Sequence, residues 1–208
     1  MDWKEYKHLL FADFYRYEGH CTWFYIMRQV ILARCPGQSI SWYLRSCTYL
    51  KDKYLLRPFY YLFRYFLRRC IFKYGIEVWP ECHIGPGLYI GHFGGIHISR
   101  LATIGSNCNI SHGVTIGRSN RGKHAGVPVL GNNVFIGAGA KLFGNIRIGN
   151  NVAIGVNCVV TRDVPDNAVI VGIPGKVISY KGSEGYINRT DWDLSYSEKE
   201  PEIVNSKK

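Results

Sequence analysis

The chain has 208 residues, 47% of them apolar and 20% charged, which is ample apolar material for one core and a smaller second element. Its seven cysteines are odd in number and form no CxxC pair, so they read as reduced packing residues of a cytosolic protein rather than a disulfide framework. No segment has the pattern of a secretory leader and no apolar run approaches the ~20 residues that span a bilayer, so a soluble or peripheral protein is expected.

The formal charge of +11 is concentrated at the front, where residues 1–74 hold thirteen Lys and Arg against five Asp and Glu, interleaved with Trp and Tyr. Runs from about Cys21 to Arg34, Ser39 to Lys51 and Pro58 to Lys73 lack internal Gly or Pro and carry apolar residues at helical spacing, as in Leu55, Phe59, Leu62, Phe63, Phe66, Leu67 and Ile71. Three helices are expected, with breaks at Pro36-Gly37 and near Arg57-Pro58. The expected role of residues 1–74 is a helical cap packed on the rest of the chain and on other subunits, and its basic, tyrosine-rich face also suits the anionic inner surface of a membrane. Nucleic acid is not an expected partner, because no recognised binding motif accompanies the charge.

From residue 75 the pattern changes to a spacing of six. Ile84 and Ile90, then Ile98, Ile104, Ile110 and Ile116, then Leu130, Ile136, Leu142, Ile148, Ile154 and Val160 recur at that interval, with a two-residue phase slip between Ile90 and Ile98. Four positions after each aliphatic stands a small or β-branched residue (Ala102, Cys108, Val114, Val134, Ala140, Ile146, Val152, Cys158, Val164), and Gly commonly follows the aliphatic itself. Each hexad is therefore a short strand and a tight corner, with Gly and Asn supplying positive φ. One hexad cannot bury its aliphatic alone, but coils stacked about 4.8 Å apart build a continuous apolar column, which makes residues 75–179 a parallel β-solenoid. After Ile178 the composition turns polar, so residues 180–208 are expected to form a loosely docked tail.

A regular solenoid is an inert wall, so chemistry is expected where polar residues interrupt it. One interruption is the slip itself, Ile90-Gly91-His92-Phe93-Gly94-Gly95-Ile96-His97, and the other is the non-repeating stretch Arg118 to Pro128 with Arg121, Lys123 and His124. Glu77 precedes His92 by fifteen residues, close to one eighteen-residue coil, which suggests neighbours on successive coils. A carboxylate-oriented imidazole suits general-base work. His83, His97 and His112 read first as structural hydrogen-bonding residues.

With these residues in view the chain resembles the hexapeptide-repeat acyltransferases, in the serine acetyltransferase branch and its polysaccharide-associated relatives. The resemblance rests on Gly75-Ile76-Glu77, Gly91-His92 with Gly94-Gly95, Gly113-Val114-Thr115-Ile116-Gly117, Ile136-Gly137-Ala138-Gly139-Ala140-Lys141, Gly144-Asn145-Ile146 and Val171-Gly172-Ile173-Pro174-Gly175-Lys176-Val177, and, at the front, on Asp13-Phe14-Tyr15-Arg16-Tyr17. It implies a mainly β fold, a left-handed parallel β-helix with a small N-terminal α-helical domain, assembled as a homotrimer. It implies acetyl-CoA as co-substrate, lying along the groove between neighbouring β-helices against Gly137, Ala138, Gly155, Val156 and Lys176, with no metal. His92 matches the histidine that deprotonates the acceptor hydroxyl, Glu77 stands where an Asp supports it, and His112, Arg121 and His124 are the expected acceptor contacts.

Serine acetyltransferases place an Asp before that histidine and an Arg-His pair before the loop proline, to hold the ammonium and carboxylate of the amino acid. Here Gly91, Gly126 and Val127 stand there, and each lost charge-assisted partner is worth roughly 1.5–3 kcal/mol. The expectation is therefore acetyl transfer to a sugar hydroxyl of a surface polysaccharide or its precursor, with serine as the alternative acceptor. A three-histidine zinc site like that of hexapeptide-repeat carbonic anhydrases has His92 and His97 as half a pattern, but no histidine stands between His20 and His83 to complete it. A catalytically inert trimeric scaffold is the remaining alternative.

Overall fold

The structure, a computed structural model, describes residues 1–192, and the remainder of the expected tail lies outside the described residues. Four α-helices are found among the described residues, α1 (Trp3–Glu18), α2 (Trp23–Leu32), α3 (Pro36–Leu50) and α4 (Arg57–Tyr74), the last preceded by a short 3₁₀ turn at Tyr54–Leu56. α1 is absent from the sequence expectation, although Asp2 caps it by accepting from the Glu5 amide at 2.7 Å and Gly19 closes it at φ 73°. Pro36 and Pro58 stand in the first turns of α3 and α4, so both prolines begin helices. Gly37 sits inside α3 because a Cβ there would collide with the Ile90 carbonyl and the Tyr17 hydroxyl.

The hexads wind a three-sided parallel β-helix. The first face stacks Ile76–Glu77, Ile96–Ile98, Thr115–Gly117, Lys141–Phe143 and Val159–Val160; the second stacks His83–Ile84, Thr103–Ile104, Val129–Leu130 and Arg147–Ile148. The third stacks Tyr89–Ile90, Asn109–Ile110, Phe135–Ile136, Ala153–Ile154 and Val169–Val171, with Lys176–Ser179 returning antiparallel along its end. The six-spaced aliphatics and the small residues four positions on all point inward and are buried, forming one apolar column from Ile76 to Ile170. Each fully buried Ile or Leu in it stabilises the fold by roughly 1.5–3 kcal/mol. Corners need left-handed backbone, and Gly75, Gly95, Gly113, Gly139 and Asn157 supply it at successive levels of the corner from third to first face. Gly75 serves twice: its N–H caps α4 on the Ile71 carbonyl at 2.9 Å, and its own carbonyl accepts from Ile96 at 3.0 Å to open the first coil. At the corner from second to third face, Asn133, Asn151 and Asn167 hold left-handed φ and link by side-chain amide bonds of 3.0 and 3.1 Å.

The helices meet the first coil through buried polar bonds. Asp13 is fully buried and accepts from Arg45 Nε at 2.9 Å, from Arg45 Nη2 at 3.1 Å, from the Leu88 amide at 2.8 Å and from the Ser41 hydroxyl. Arg45 also donates to the carbonyls of Ile84 at 2.6 Å and Gly85 at 2.7 Å, and Arg16 to Gly87 O at 3.2 Å and Asn109 Oδ1 at 2.6 Å. Below these bonds Ile40, Leu44, Cys47, Leu67 and Ile71 join the solenoid core. The expectation of a loosely docked tail is corrected for residues 180–192. Ser183 donates to Asn133 O at 2.7 Å, Tyr186 stacks on Phe135 at 4.7 Å, Arg189 donates to Tyr17 O, and Trp192 is buried against Phe11 and Tyr15.

Candidate active site

The corner from third to first face is where the slip falls, and cross-coil register decides which residues share it. Ile90 pairs with Ile110, Ile110 with Ile136, Ile136 with Ile154 and Ile154 with Ile170. Two residues past each of these, His92, His112, Ala138 and Val156 follow one another along a single edge, with Gly91, Gly137 and Gly155 one position behind. The rings of His92 and His112 lie 6.2 Å apart, edge to face. Lys176 pairs with Val171 at the end of this edge. Six of the residues expected from sequence to be at the site, His92, His112 and the four cofactor positions, thus follow one edge, exposed at His92, His112 and Val156 and buried at Gly137, and Lys176 closes it. The amides of Gly94 and Gly95 have no acceptor among the described residues, which leaves two donors in the turn just after His92.

The expected Glu77–His92 pair is not formed. The two extra residues at the His92 corner make the first coil twenty residues long, so Glu77 lies against His97 instead. Glu77 Oε2 is 2.8 Å from His97 Nδ1, and Trp79 Nε1 donates to Glu77 Oε1 at 3.1 Å. With the carboxylate accepting, Nδ1 is the donor of this bond. The pair faces a cleft of about 810 Å³ between α4 and the first coil, lined also by Arg64, Arg68 and Arg100. Trp79 is flanked there by Arg100 at 4.3 Å and Arg64 at 5.5 Å from its ring centre.

The Trp79 hydrogen bond, followed by that of His97, holds the Glu77 carboxyl below the ordinary glutamate value. Stabilisation from this carboxylate is present above the unfolded value of about 4.3 and is lost as pH falls through the lower folded value. Because the pair is largely solvent-exposed, the effect on stability is small. Trp79→Phe is expected to raise the Glu77 midpoint toward 4.3 in a carbon-13 NMR titration, and an unmoved midpoint would remove the indole as its chief cause.

Arg121 and His124 are elsewhere. They stand on a loop leaving the corner from first to second face, closed by paired bonds of 2.9 Å between Ser119 and Gly126 and anchored by the Asn145 amide on His124 O at 2.8 Å. Within one chain the first face separates them from His92, so they do not join its edge. Sequence reasoning also missed Tyr17, whose buried hydroxyl donates to Ile90 O at 3.1 Å and accepts from Ile90 N at 3.2 Å. That residue fixes the strand leading into His92, and burial pushes its phenol pKa up. Its one visible signal was its place in the Asp13-Phe14-Tyr15-Arg16-Tyr17 motif. At Gly91 a Cβ would stand 3.0 Å from the Tyr89 ring and 3.3 Å from its hydroxyl, so a larger residue there requires the Tyr89 side chain to give by a few tenths of an ångström.

No family model matches the chain. Over 108 residues, 52% of this chain, it is 46% identical to the serine acetyltransferase of Synechococcus elongatus and 44% identical to that of Staphylococcus aureus, covering 44% and 51% of those proteins. Among solved structures, the Neisseria gonorrhoeae serine acetyltransferase in complex with serine aligns at a TM-score of 0.63 and 31% identity, over 85% of this chain and 68% of that one. The chain belongs to the serine acetyltransferase family of hexapeptide-repeat proteins. A further serine acetyltransferase, from Brucella abortus in complex with coenzyme A, aligns at a TM-score of 0.68 and 26% identity over 86% of this chain and 70% of that one. The chain spans about half the length of the curated serine acetyltransferases it matches. The expectation of a sugar hydroxyl as acceptor, and of a closer tie to polysaccharide-associated relatives, is corrected by these matches, which are serine acetyltransferases in both sequence and structure.

Proposed function

We propose that the chain transfers the acetyl group of acetyl-CoA to the hydroxyl of L-serine. The observation that carries this reading is the identity to serine acetyltransferases over 108 residues; the single edge holding His92, His112, Ala138 and Val156 supports it. Acetyl-CoA extends along that edge past Gly137, Ala138, Gly155 and Val156, with Lys176 near its phosphates. His92 takes the serine hydroxyl proton as the oxygen attacks the thioester carbonyl. The amides of Gly94 and Gly95 suit the oxyanion that develops, and collapse of the tetrahedral species expels the CoA thiolate, which leaves as the thiol once reprotonated. Direct transfer is favoured because no Cys or Ser at the corner is paired with a base.

The coil is read as left-handed and the assembly as a cytoplasmic homotrimer, both from the family resemblance. In a trimer the loop with Arg121 and His124 would lie beside the His92 edge of a neighbouring subunit, the arrangement in which those residues serve the acceptor. Gly91 and Val127 leave serine with fewer charged partners, so a KM for serine at least tenfold above that of relatives carrying Asp and His there is expected. The test is CoA release with L-serine against simple sugars, each titrated to about 50 mM, beyond a tenfold rise over the usual KM range. Saturable turnover with serine is the expected result; release with a sugar and none with serine would overturn the proposal.

A further inference from the structure

The outer face of α4 is aromatic and basic. Residues 54–74 contain no Asp or Glu, five basic residues (Arg57, Arg64, Arg68, Arg69, Lys73) and nine aromatic ones. Only Leu67 and Ile71 of α4 are fully buried, against α3 and the first coil. On the side away from them Phe59, Tyr61, Leu62, Tyr65 and Phe72 are 49–74% exposed, and Leu55 in the preceding turn is 89% exposed. Arg57, Arg68, Arg69 and Lys73 are exposed among them.

We propose that this face seats the protein on an anionic lipid surface. Aromatic rings and leucines interleaved with guanidinium and ammonium groups match the layered chemistry of a bilayer interface, where rings settle at headgroup depth and cations meet phosphate. No helix among the described residues is long and apolar enough to cross a membrane, so the helix lies along the surface. A second copy fits this face less well. An isologous contact sets the same cations against one another, and the segment holds no carboxylate to offset them. Each basic residue near an anionic surface strengthens partitioning about fivefold.

The test is co-sedimentation of the full chain with vesicles of mixed phosphatidylcholine and phosphatidylglycerol, against vesicles of phosphatidylcholine alone. Binding at least tenfold stronger to the mixed vesicles, falling away by about 0.5 M salt as the charges are screened, is expected. Arg69→Glu with Lys73→Glu should lower binding at least tenfold, and Leu55→Ser with Tyr65→Ser should lower it with less dependence on salt. Both double variants should keep the wild-type circular dichroism spectrum and CoA release in solution. Equal binding to both vesicle types, no binding, or loss of binding in neither variant overturns the proposal. So does light scattering that finds the variants split into smaller assemblies than wild type, which would give the face to a second copy, and so does binding of duplex DNA in place of vesicles.

Discussion

His92→Ala is expected to lower kcat by about 10²- to 10⁴-fold, the usual contribution of a positioned general base, while leaving the affinity for CoA within about threefold of wild type, since a group acting only on the proton in flight adds little to ground-state binding. The physical case is positional. His92 heads the edge along which Ala138 and Val156 follow in register, and the turn after it presents the free amides of Gly94 and Gly95. His97 is the control, because it carries a carboxylate partner that His92 lacks among the described residues. Its pairing with Glu77 and Trp79 braces the first coil, so His97→Ala is expected to cost less than tenfold in kcat. Steady-state CoA release for both variants, with CoA binding by calorimetry, makes the comparison. Near-normal turnover by His92→Ala with collapse in His97→Ala would move the base to the Glu77–His97 pair.

Asp13→Ala is expected to destabilise the fold by about 3–5 kcal/mol, because it strands the Arg45 guanidinium in the interface between helices and solenoid. Arg45 is 4% exposed and would keep only its two carbonyl partners, Ile84 and Gly85. The Leu88 amide would lose its acceptor at the same time. Urea unfolding gives the number, and a loss below 1 kcal/mol would contradict the account. Replacing both partners at once, Asp13→Leu with Arg45→Met, should recover much of the loss, since an apolar pair of similar volume leaves no buried charge. Tyr17 holds Ile90 from the same helix, so the single variant should also turn over more slowly as the strand before His92 loosens.

Most of the solenoid was legible because its rule is local. An aliphatic that must face inward every six residues and a corner that must take positive φ leave their marks at fixed intervals, as at Ile104 and Asn107 or Leu130 and Asn133. The glycine just after the aliphatic does not supply the positive φ expected of it; at Gly105 and Gly131 it is required instead by close approach to the backbone of the next coil. The histidine partner was not legible, because the length of the first coil depends on how the slip at Gly91 to Gly95 is absorbed. A fifteen-residue separation suggested His92 for Glu77, whereas a twenty-residue coil gives it His97. The contacts of Tyr17 and Trp192 were not legible for another reason: they join segments far apart in sequence, and no periodicity records such pairs. The acceptor was misjudged from three local departures, Gly91, Gly126 and Val127, while the identity to serine acetyltransferases extends over 108 residues.

Solenoids normally touch only neighbouring coils, so either end can fray without the other registering it. Here residues 180–192 run back to α1, where Arg189 reaches Tyr17 across 172 positions and Trp192 packs on Phe11 and Tyr15. During synthesis α1 emerges well before residues 180–192 and completes its packing only when they arrive. Until then its aromatic side stays wet and open to chance association, and the arrival of Trp192 ties α1 to the far end of the solenoid as one cooperative unit.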